Sequence, residues 1–380
     1  MKAVLISCFD YYEIRMKYIE KNLLRKNYNV EIICSDFDHL LKEKNKSGKK
    51  NYIMVNTIPY YKNISLKRIY SHYKFAKDVA KIVQQLEPDL VWGLIPPNFL
   101  VKFLGKIKRK NFKIKLIYDV IDMWPETFPK RNKKIMMPLF YIWKRIRNNG
   151  LNKADAIITE CDLYKNELKK NSPDKKINTL YITKESVNTN NFIKDRIDQN
   201  QLNICYLGSI NSLIDIPQTV SILKAINKYK KVKLHIIGKG ENEKYFLNEL
   251  EKNFIDFIFY GAIFDETEKN LILNKCCFGL NIMKKEVFVG LTMKSIDYFK
   301  MAVPILNNIK GDTEKLVDHY HIGFNINTNL DSLAVRIAQL KTNEYLKMVE
   351  NTKTLYNNEF SENAINIKIE DVFHQISLKN

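Results

Sequence analysis

Two short stretches combine residue types that do chemistry. In Asp119-Val120-Ile121-Asp122-Met123-Trp124-Pro125-Glu126, three carboxylates follow an apolar run that reads as the end of a strand. Ligands of doubly wound folds gather beyond the carboxyl ends of strands. Carboxylates collected there are costly unless used, and one of them can accept the proton released when a hydroxyl attacks. In Val289-Gly290-Leu291-Thr292-Met293-Lys294-Ser295-Ile296-Asp297-Tyr298-Phe299, followed by Ala302-Val303-Pro304, a glycine-containing loop leads into an amphipathic helix. The unpaired N–H groups that open a helix make an anion site. Structural alternatives stand beside both stretches: Asp122 as a turn or helix cap with Trp124 in the core, and a helix that only buries Ile296, Tyr298 and Phe299.

The elements that must position these residues follow from apolar periodicity. Ala3 to Ser7, Val30 to Cys34, Leu90 to Leu94 and Ile114 to Tyr118 read as buried strands separated by helical patterns, one from about Ile69 to Gln85. Short strands at Ala156 to Ile158 and Thr179 to Ile182 end the first half, and the polar stretch Asn188 to Gln201 reads as a linker. The same grammar then restarts with strand Asn203 to Leu207, helix Ile216 to Tyr229 and strand Lys233 to Gly238. Alternation of this kind implies parallel sheets covered on both faces. The 380 residues exceed one ordinary core. The expected organisation is α/β, with Rossmann-like domains at 1–195 and 196–380 facing each other across a cleft and the C-terminal helices in the second.

The strand-end Asp-x-Trp-Pro segment and the loop-helix segment together resemble the B-type (GT-B) glycosyltransferases of family 4, especially bacterial enzymes of capsular or surface polysaccharide synthesis. The resemblance covers nearly the whole chain. It implies that Asp122 and Glu126 contact the acceptor hydroxyl or the transferred sugar. It implies also that Gly290, Leu291 and Thr292 present amides to the diphosphate of a nucleotide sugar, with Lys294 neutralising that leaving group. Asp297 falls at the position of the family's second Glu, which holds the donor's ribose. Gly208 and Ser209, in Tyr206-Leu207-Gly208-Ser209, resemble the first nucleotide-domain loop, and Lys239, in Gly238-Lys239-Gly240-Glu241, the loop beside the donor. Tyr260-Gly261-Ala262-Ile263-Phe264 resembles the stretch that brackets the base. The chain departs from the family at Ile121 (a His in many relatives), Val289 (the first Glu), and Ser209 and Ile214 (an Arg and a Lys that clamp the diphosphate), so Lys184, Lys239 or Lys294 must supply that charge.

Composition sets the partners. A net charge of +20 calls for anions. Lys102, Lys106, Lys108, Arg109, Lys110, Lys113 and Lys115 cluster in the first half, and Lys130, Arg131, Lys133 and Lys134 precede the apolar-aromatic stretch Ile135 to Arg145. Cations beside such a stretch describe an interfacial binder of anionic lipid. No apolar run reaches the ~20 residues of a membrane span, and no signal-peptide core is present. The expectation is a cytoplasmic enzyme on the inner face of the cell membrane, taking a UDP-sugar donor and an undecaprenyl-diphosphate-linked glycan acceptor, retaining by resemblance, with no cofactor and no metal. Asp36-Phe37-Asp38, His319 and His321 read as solvated surface groups, the histidines on a strand or loop, and the six cysteines as buried thiols. Two rival classes are a nucleotide-sugar 2-epimerase of the same architecture and a basic nucleic-acid-binding protein, for which no recognition motif is found.

Overall fold

The computed structural model describes residues 1–9, 12–39, 41–44, 51–63, 65–128, 133–185, 200–326 and 329–377. The chain divides into two compact units, Met1–Thr183 with Glu362–Asn380, and Lys184–Ser361.

The first unit alternates strands β1 (Lys2–Ser7), β2 (Asn29–Ser35), β3 (Tyr52–Val55), β4 (Leu90–Ile95), β5 (Lys115–Val120), β6 (Ala156–Thr159) and β7 (Ile177–Thr179) with helices. These are α1 (Glu13–Arg25), α2 (Leu66–Leu86), α3 (Phe99–Lys110), α4 (Lys133–Leu151) and α5 (Asp162–Lys169). Its sheet runs β3-β2-β1-β4-β5-β6-β7. Ala3 to Ile6 are wholly buried because β1 is central and covered on both faces, which is why its sequence is a continuous apolar run. Local signals set the helix ends: Ser65 accepts a hydrogen bond from the Arg68 N–H at the start of α2, and Glu87, left-handed at φ 45° before Pro88, stops it.

The second unit repeats the plan with β8 (Gln201–Leu207), α6 (Ile216–Asn227), β9 (Lys231–Ile237), α7 (Glu243–Lys252), β10 (Asp256–Gly261), α8 (Glu266–Leu273) and β11 (Phe278–Asn281). It continues through α9 (Met293–Lys300), β12 (Ile305–Asn307), α10 (Asp312–Tyr320), β13 (Gly323–Asn325), α11 (Leu330–Ala338) and α12 (Thr342–Leu355). The strand order is β10-β9-β8-β11-β12-β13, so each sheet winds outward in both directions from its first strand. Every pairing within these sheets is parallel. The switch points, where ligands of such folds bind, lie between β1 and β4 and between β8 and β11. The expected Rossmann-like architecture of both halves is present.

Three local expectations change. The expected strand at Thr179 to Ile182 is β7, Ile177–Thr179. His319 lies inside α10, and His321 is its left-handed cap at φ 53°, so neither is on a strand. The last helix, α13 (Glu362–Gln375), belongs to the first unit rather than the second. Ile365, Ile369, Val372 and Phe373 form a helical stripe that is buried with β1 and β4 residues in one core, where the Phe373 ring meets Trp92 edge-on at 6.1 Å. Described chain passes between the units at Thr183 and Lys184, while the expected boundary near 195, most of the expected linker, and Lys130 and Arg131 fall outside the described residues.

Replacing Phe373 by Ala should therefore cost the first unit about 3–5 kcal/mol. Amide hydrogen exchange should show faster opening of β1 and β4 with β8 and β9 unchanged, and equal loss in both units would refute the assignment of α13.

Candidate functional site

In the first unit the three clustered carboxylates have separate fates. Asp119 is fully buried and takes a fork of two bonds from Arg15, at 2.8 Å from Nε and 2.7 Å from Nη2, plus one from Trp92 Nε1 at 3.2 Å. The remaining Arg15 donor reaches the carbonyls of Leu180 (2.8 Å) and Tyr181 (3.2 Å). A buried pair this well satisfied ties α1, β5 and the segment after β7 together, and losing one partner is strongly destabilising. Asp119 is thus structural.

Glu126 is consumed in the same way. Arg147, itself fully buried, grips both of its oxygens at 2.8 and 2.9 Å, and Lys144 approaches to 3.0 Å. Burial alone would push the Glu126 carboxyl up, yet these cations hold it below the usual range. A carboxylate so stabilised is a poor base, which corrects its expected catalytic role. Glu126 anchors the loop to α4, assisted by Arg147 and Asn98, which both donate to the Trp124 carbonyl at 2.7 and 2.9 Å.

Asp122 differs from both. No cation bonds to it among the described residues; its oxygens accept from Trp124 Nε1 at 2.5 Å and Thr127 Oγ1 at 2.6 Å. Burial raises its pKa against the opposing effect of those bonds. A half-buried carboxyl of raised basicity at a strand end suits proton acceptance. Trp124 is buried, as the structural alternative held, yet its ring carries the Arg68 guanidinium at 4.3 Å and stacks on His72 at 5.6 Å. His39 and His72 both contact the Tyr60 hydroxyl, at 2.8 and 3.4 Å, and burial with the nearby Arg68 charge keeps both imidazoles neutral, His39 at about 4. Arg68 and this aromatic cluster escaped the sequence, because α2 and the β2–β3 connection are distant from Trp124 in the chain. Ile121, at the family's His position, is core.

Asp36, the first residue of the Asp-x-Asp match, is occupied by Thr57, whose N–H and hydroxyl both donate at 2.8 Å, and by Lys44. Among the described residues no group of three or more His, Cys, Asp or Glu is placed to hold a metal.

In the second unit the strand ends are built from glycines. Gly208, Gly238 and Gly261 follow or close the neighbouring strands β8, β9 and β10 with φ of 117°, 155° and 72°. A Cβ on Gly238 would lie 1.9 Å from the Gly208 carbonyl oxygen, so the turns pack backbone on backbone, whereas a Cβ on Gly208 would point into open space. The ladder continues through Ile210 N–H to Lys239 O at 2.9 Å. Glycine turns that are separate in the sequence are therefore brought side by side. Lys239 itself is exposed, with its Cε beside Gly261.

The loop-helix segment is fixed at three points. Gly290 O accepts from the Thr313 N–H (2.9 Å) and hydroxyl (2.7 Å). Thr292 caps α9 through Ser295 and donates to Asn281 Oδ1 at 2.8 Å. Asn281 in turn donates to Asn307, and Asn307 to Asn325, each at 2.8 Å, so one amide row crosses the ends of β11, β12 and β13. Tyr298 enters the switch point: its hydroxyl accepts from Leu207 N–H at 3.0 Å and is within reach of the Cys205 and Leu280 carbonyls, with Gly279 leaving room for the ring. The amide row had a signal in the sequence, since all three short strands end in Asn: Phe-Gly-Leu-Asn, Ile-Leu-Asn and Gly-Phe-Asn.

These contacts place Lys294, one turn before Tyr298, over the Tyr206 ring at 4.9 Å. It is buried, and among the described residues no carboxylate pairs with it. Burial lowers its pKa to about 8. The Tyr206 hydroxyl donates to Ser209 O at 2.9 Å, which sets Gly208, Ser209 and Lys294 around one residue. Of the three lysines expected to supply charge, Lys184 is committed elsewhere. It bonds both oxygens of Asp297 at 2.7 Å, and Lys269 approaches the same carboxylate to 3.3 Å. Lys269 and Lys300 also share Glu266 and, against the effect of burial, hold it at about 2. Asp297 is 4% exposed and sits inside this network, which corrects its expected place as an open acceptor for ribose hydroxyls.

Asp297→Ala should accordingly lower the unfolding free energy by about 3–5 kcal/mol by stranding Lys184 and leaving Lys269 with Glu266 alone. Urea unfolding of the second unit would check this; a variant as stable as the parent would return Asp297 to the ligand-binding set.

The Glycosyltransferase Family 4 model matches residues 13–181. No curated protein matches the chain. Among solved structures, sucrose-phosphate synthase from Thermosynechococcus elongatus superposes with a TM-score of 0.73 at 11% identity, covering 99% of both chains. Anabaena HepE in complex with UDP gives 0.68 at 14% identity over 100% of both. A glycosyltransferase from Rickettsia africae gives 0.63 at 16%, covering 100% of this chain and 99% of that one. With its N-terminal unit matching the Glycosyltransferase Family 4 model and both units sharing the fold of these proteins, the chain is a glycosyltransferase of the GT-B architecture.

Proposed function

We propose that this glycosyltransferase moves a sugar from a UDP-sugar to a hydroxyl of an undecaprenyl-diphosphate-linked saccharide in cell-surface polysaccharide synthesis, working from the cytoplasmic face of the membrane. The observation that carries the donor half is Lys294, a buried ammonium without a carboxylate partner among the described residues, at the switch point of the second sheet. Such a charge is costly until an anion arrives, and a diphosphate is the anion whose charge grows as the glycosidic bond breaks. Similarity to HepE, solved with UDP and with UDP and glucose, supports uridine as the nucleoside. Asp122 takes the proton of the attacking hydroxyl while that hydroxyl's oxygen bonds the anomeric carbon, on the face from which the diphosphate leaves, and the bond to the diphosphate oxygen breaks. Retention of configuration is what the family resemblance implies. The lipid-linked acceptor is supported by Met137, Tyr141 and Ile142, exposed on α4 beside Arg145.

Lys294→Ala should reduce turnover on the order of 100-fold with a smaller loss of UDP affinity, because the charge is used most in the transition state. Equal turnover at saturating donor would move the diphosphate to another loop.

UDP affinity should be flat below pH 8 and fall above it, by up to about tenfold per pH unit, as Lys294 loses its proton at about 8. Since the unfolded chain keeps that proton to about pH 10.5, folding stability of the free protein should rise between these two values. Calorimetric titration of the parent and of Lys294→Arg separates the cases, because the arginine stays charged and its affinity should not turn down.

Asp122→Asn should slow transfer by about 10²–10⁴-fold with UDP affinity intact. Steady-state rates within a few-fold of the parent would leave Asp122 as a loop-holding group for Trp124 and Thr127.

A further inference from the structure

The first unit carries a second cationic feature, away from Asp122. A groove of about 330 Å³ between α3 and α4 is lined by Lys102, Lys106 and Arg109 of α3 and by Lys153 just past α4, and among the described residues no acidic one lines it. The α3 cations recur at i, i+4 and i+7, which stacks like charges on one helix face at a cost in stability. Elsewhere on these elements cations are neutralised: Lys108 pairs with Asp155 at 2.8 Å and Lys144 with Glu126 and Glu167 at 3.0 and 3.1 Å. Among the described residues none of the four groove cations has a carboxylate partner. The floor is made by close helix contact, since a Cβ on Gly150 would lie 2.4 Å from Val101 Cγ2.

The groove is continuous with an apolar face. Ile146, Asn149 and Gly150 line it from α4, and Ile142 lies one turn before Ile146 on the same stripe. Ile142 is 55% exposed, and Met137 and Tyr141 beside it are 61% and 66% exposed. Four unneutralised cations followed by exposed apolar side chains match an anionic headgroup followed by acyl chain. A nucleic acid would use the cations and could stack on Tyr141, but it has no use for the aliphatic Met137 and Ile142 exposed with it, which suit acyl chain.

We propose that the α3–α4 groove seats the phosphate of an anionic membrane lipid while Met137, Tyr141 and Ile142 enter the surface next to it. This deepens the membrane docking in the function proposed above and rests on it. The test uses the full chain and sedimentation with phosphatidylglycerol vesicles, with phosphatidylcholine vesicles as the neutral control. One variant changes Lys102, Lys106, Arg109 and Lys153 to Gln. A charge-matched control changes Lys62, Lys67, Lys169 and Lys176, exposed and outside the groove, to Gln. UDP titration confirms that each variant is folded.

The groove variant should lose partitioning onto phosphatidylglycerol by several hundred-fold, from about fivefold per basic residue, with the control far less affected. Met137→Ser with Ile142→Ser should weaken binding without changing its salt dependence. Equal losses in groove variant and control would overturn the groove while leaving docking in place. A parent that ignores anionic vesicles would overturn docking and groove together, with the UDP site untouched. Stabilisation of the parent by inorganic phosphate without vesicle binding, or a groove-dependent gel shift with an RNA homopolymer and no vesicle binding, would replace the lipid by a free anion or a nucleic acid and so overturn the proposal.

Discussion

A buried ammonium with no carboxylate partner among the described residues is the constraint around which the second unit is arranged. Lys294 stays where it is because α9 is fixed at its start by the Thr292–Asn281 bond and the Gly290 carbonyl, and one turn later by Tyr298 in the gap between β8 and β11. In the amide row Asn281–Asn307–Asn325 the first two residues are buried and all three are bonded in sequence, so the start of α9 cannot drift without breaking several bonds at once. The aromatic face of Tyr206 partly compensates the charge but leaves it desolvated, and its pKa falls accordingly. Rigid polar scaffolding thus holds an unsatisfied charge at the position where a doubly wound fold binds its ligand.

The first unit shows the same economy with carboxylates. Of three acidic residues in one strand-end segment, two are neutralised by buried arginines and serve as ties between elements. Arg15–Asp119 joins α1 to β5, and Arg147–Glu126 joins α4 to the loop. The third, Asp122, is held by two neutral donors that orient it without removing its basicity. Residue type and position do not separate these roles. What separates them is which cation each carboxylate meets, and both arginines come from helices flanking the segment.

Much of the fold was legible from the chain. Central parallel strands are covered on both faces, so β1 and β4 stand out as apolar runs, β8 and β9 as strands whose C-terminal halves are buried throughout, and the restart of the pattern at Asn203 marks a second sheet. Short strands such as β3, β12 and β13 carry too few residues for a period to show. The C-terminal helix was legible as a helix but not as a part of the first unit, since an apolar stripe says that a face will be buried and not against what.

The candidate site divides along the same line. The sequence by itself determined the chemistry on offer: glycine turns at strand ends, a lysine in the first turn of a helix after a Gly-Leu-Thr loop, and an aspartate before Trp-Pro. These depend on residue type and local spacing, which the chain states directly. Tertiary structure alone decided which charges remain available, because pairing depends on groups far apart in sequence. Asp297 meets Lys184 and Glu126 meets Arg147, whereas Lys294 lies over the ring of Tyr206 and has no carboxylate partner among the described residues. A charged side chain is worth little to catalysis once a partner has neutralised it, and that partner is chosen by packing over distances no local pattern records.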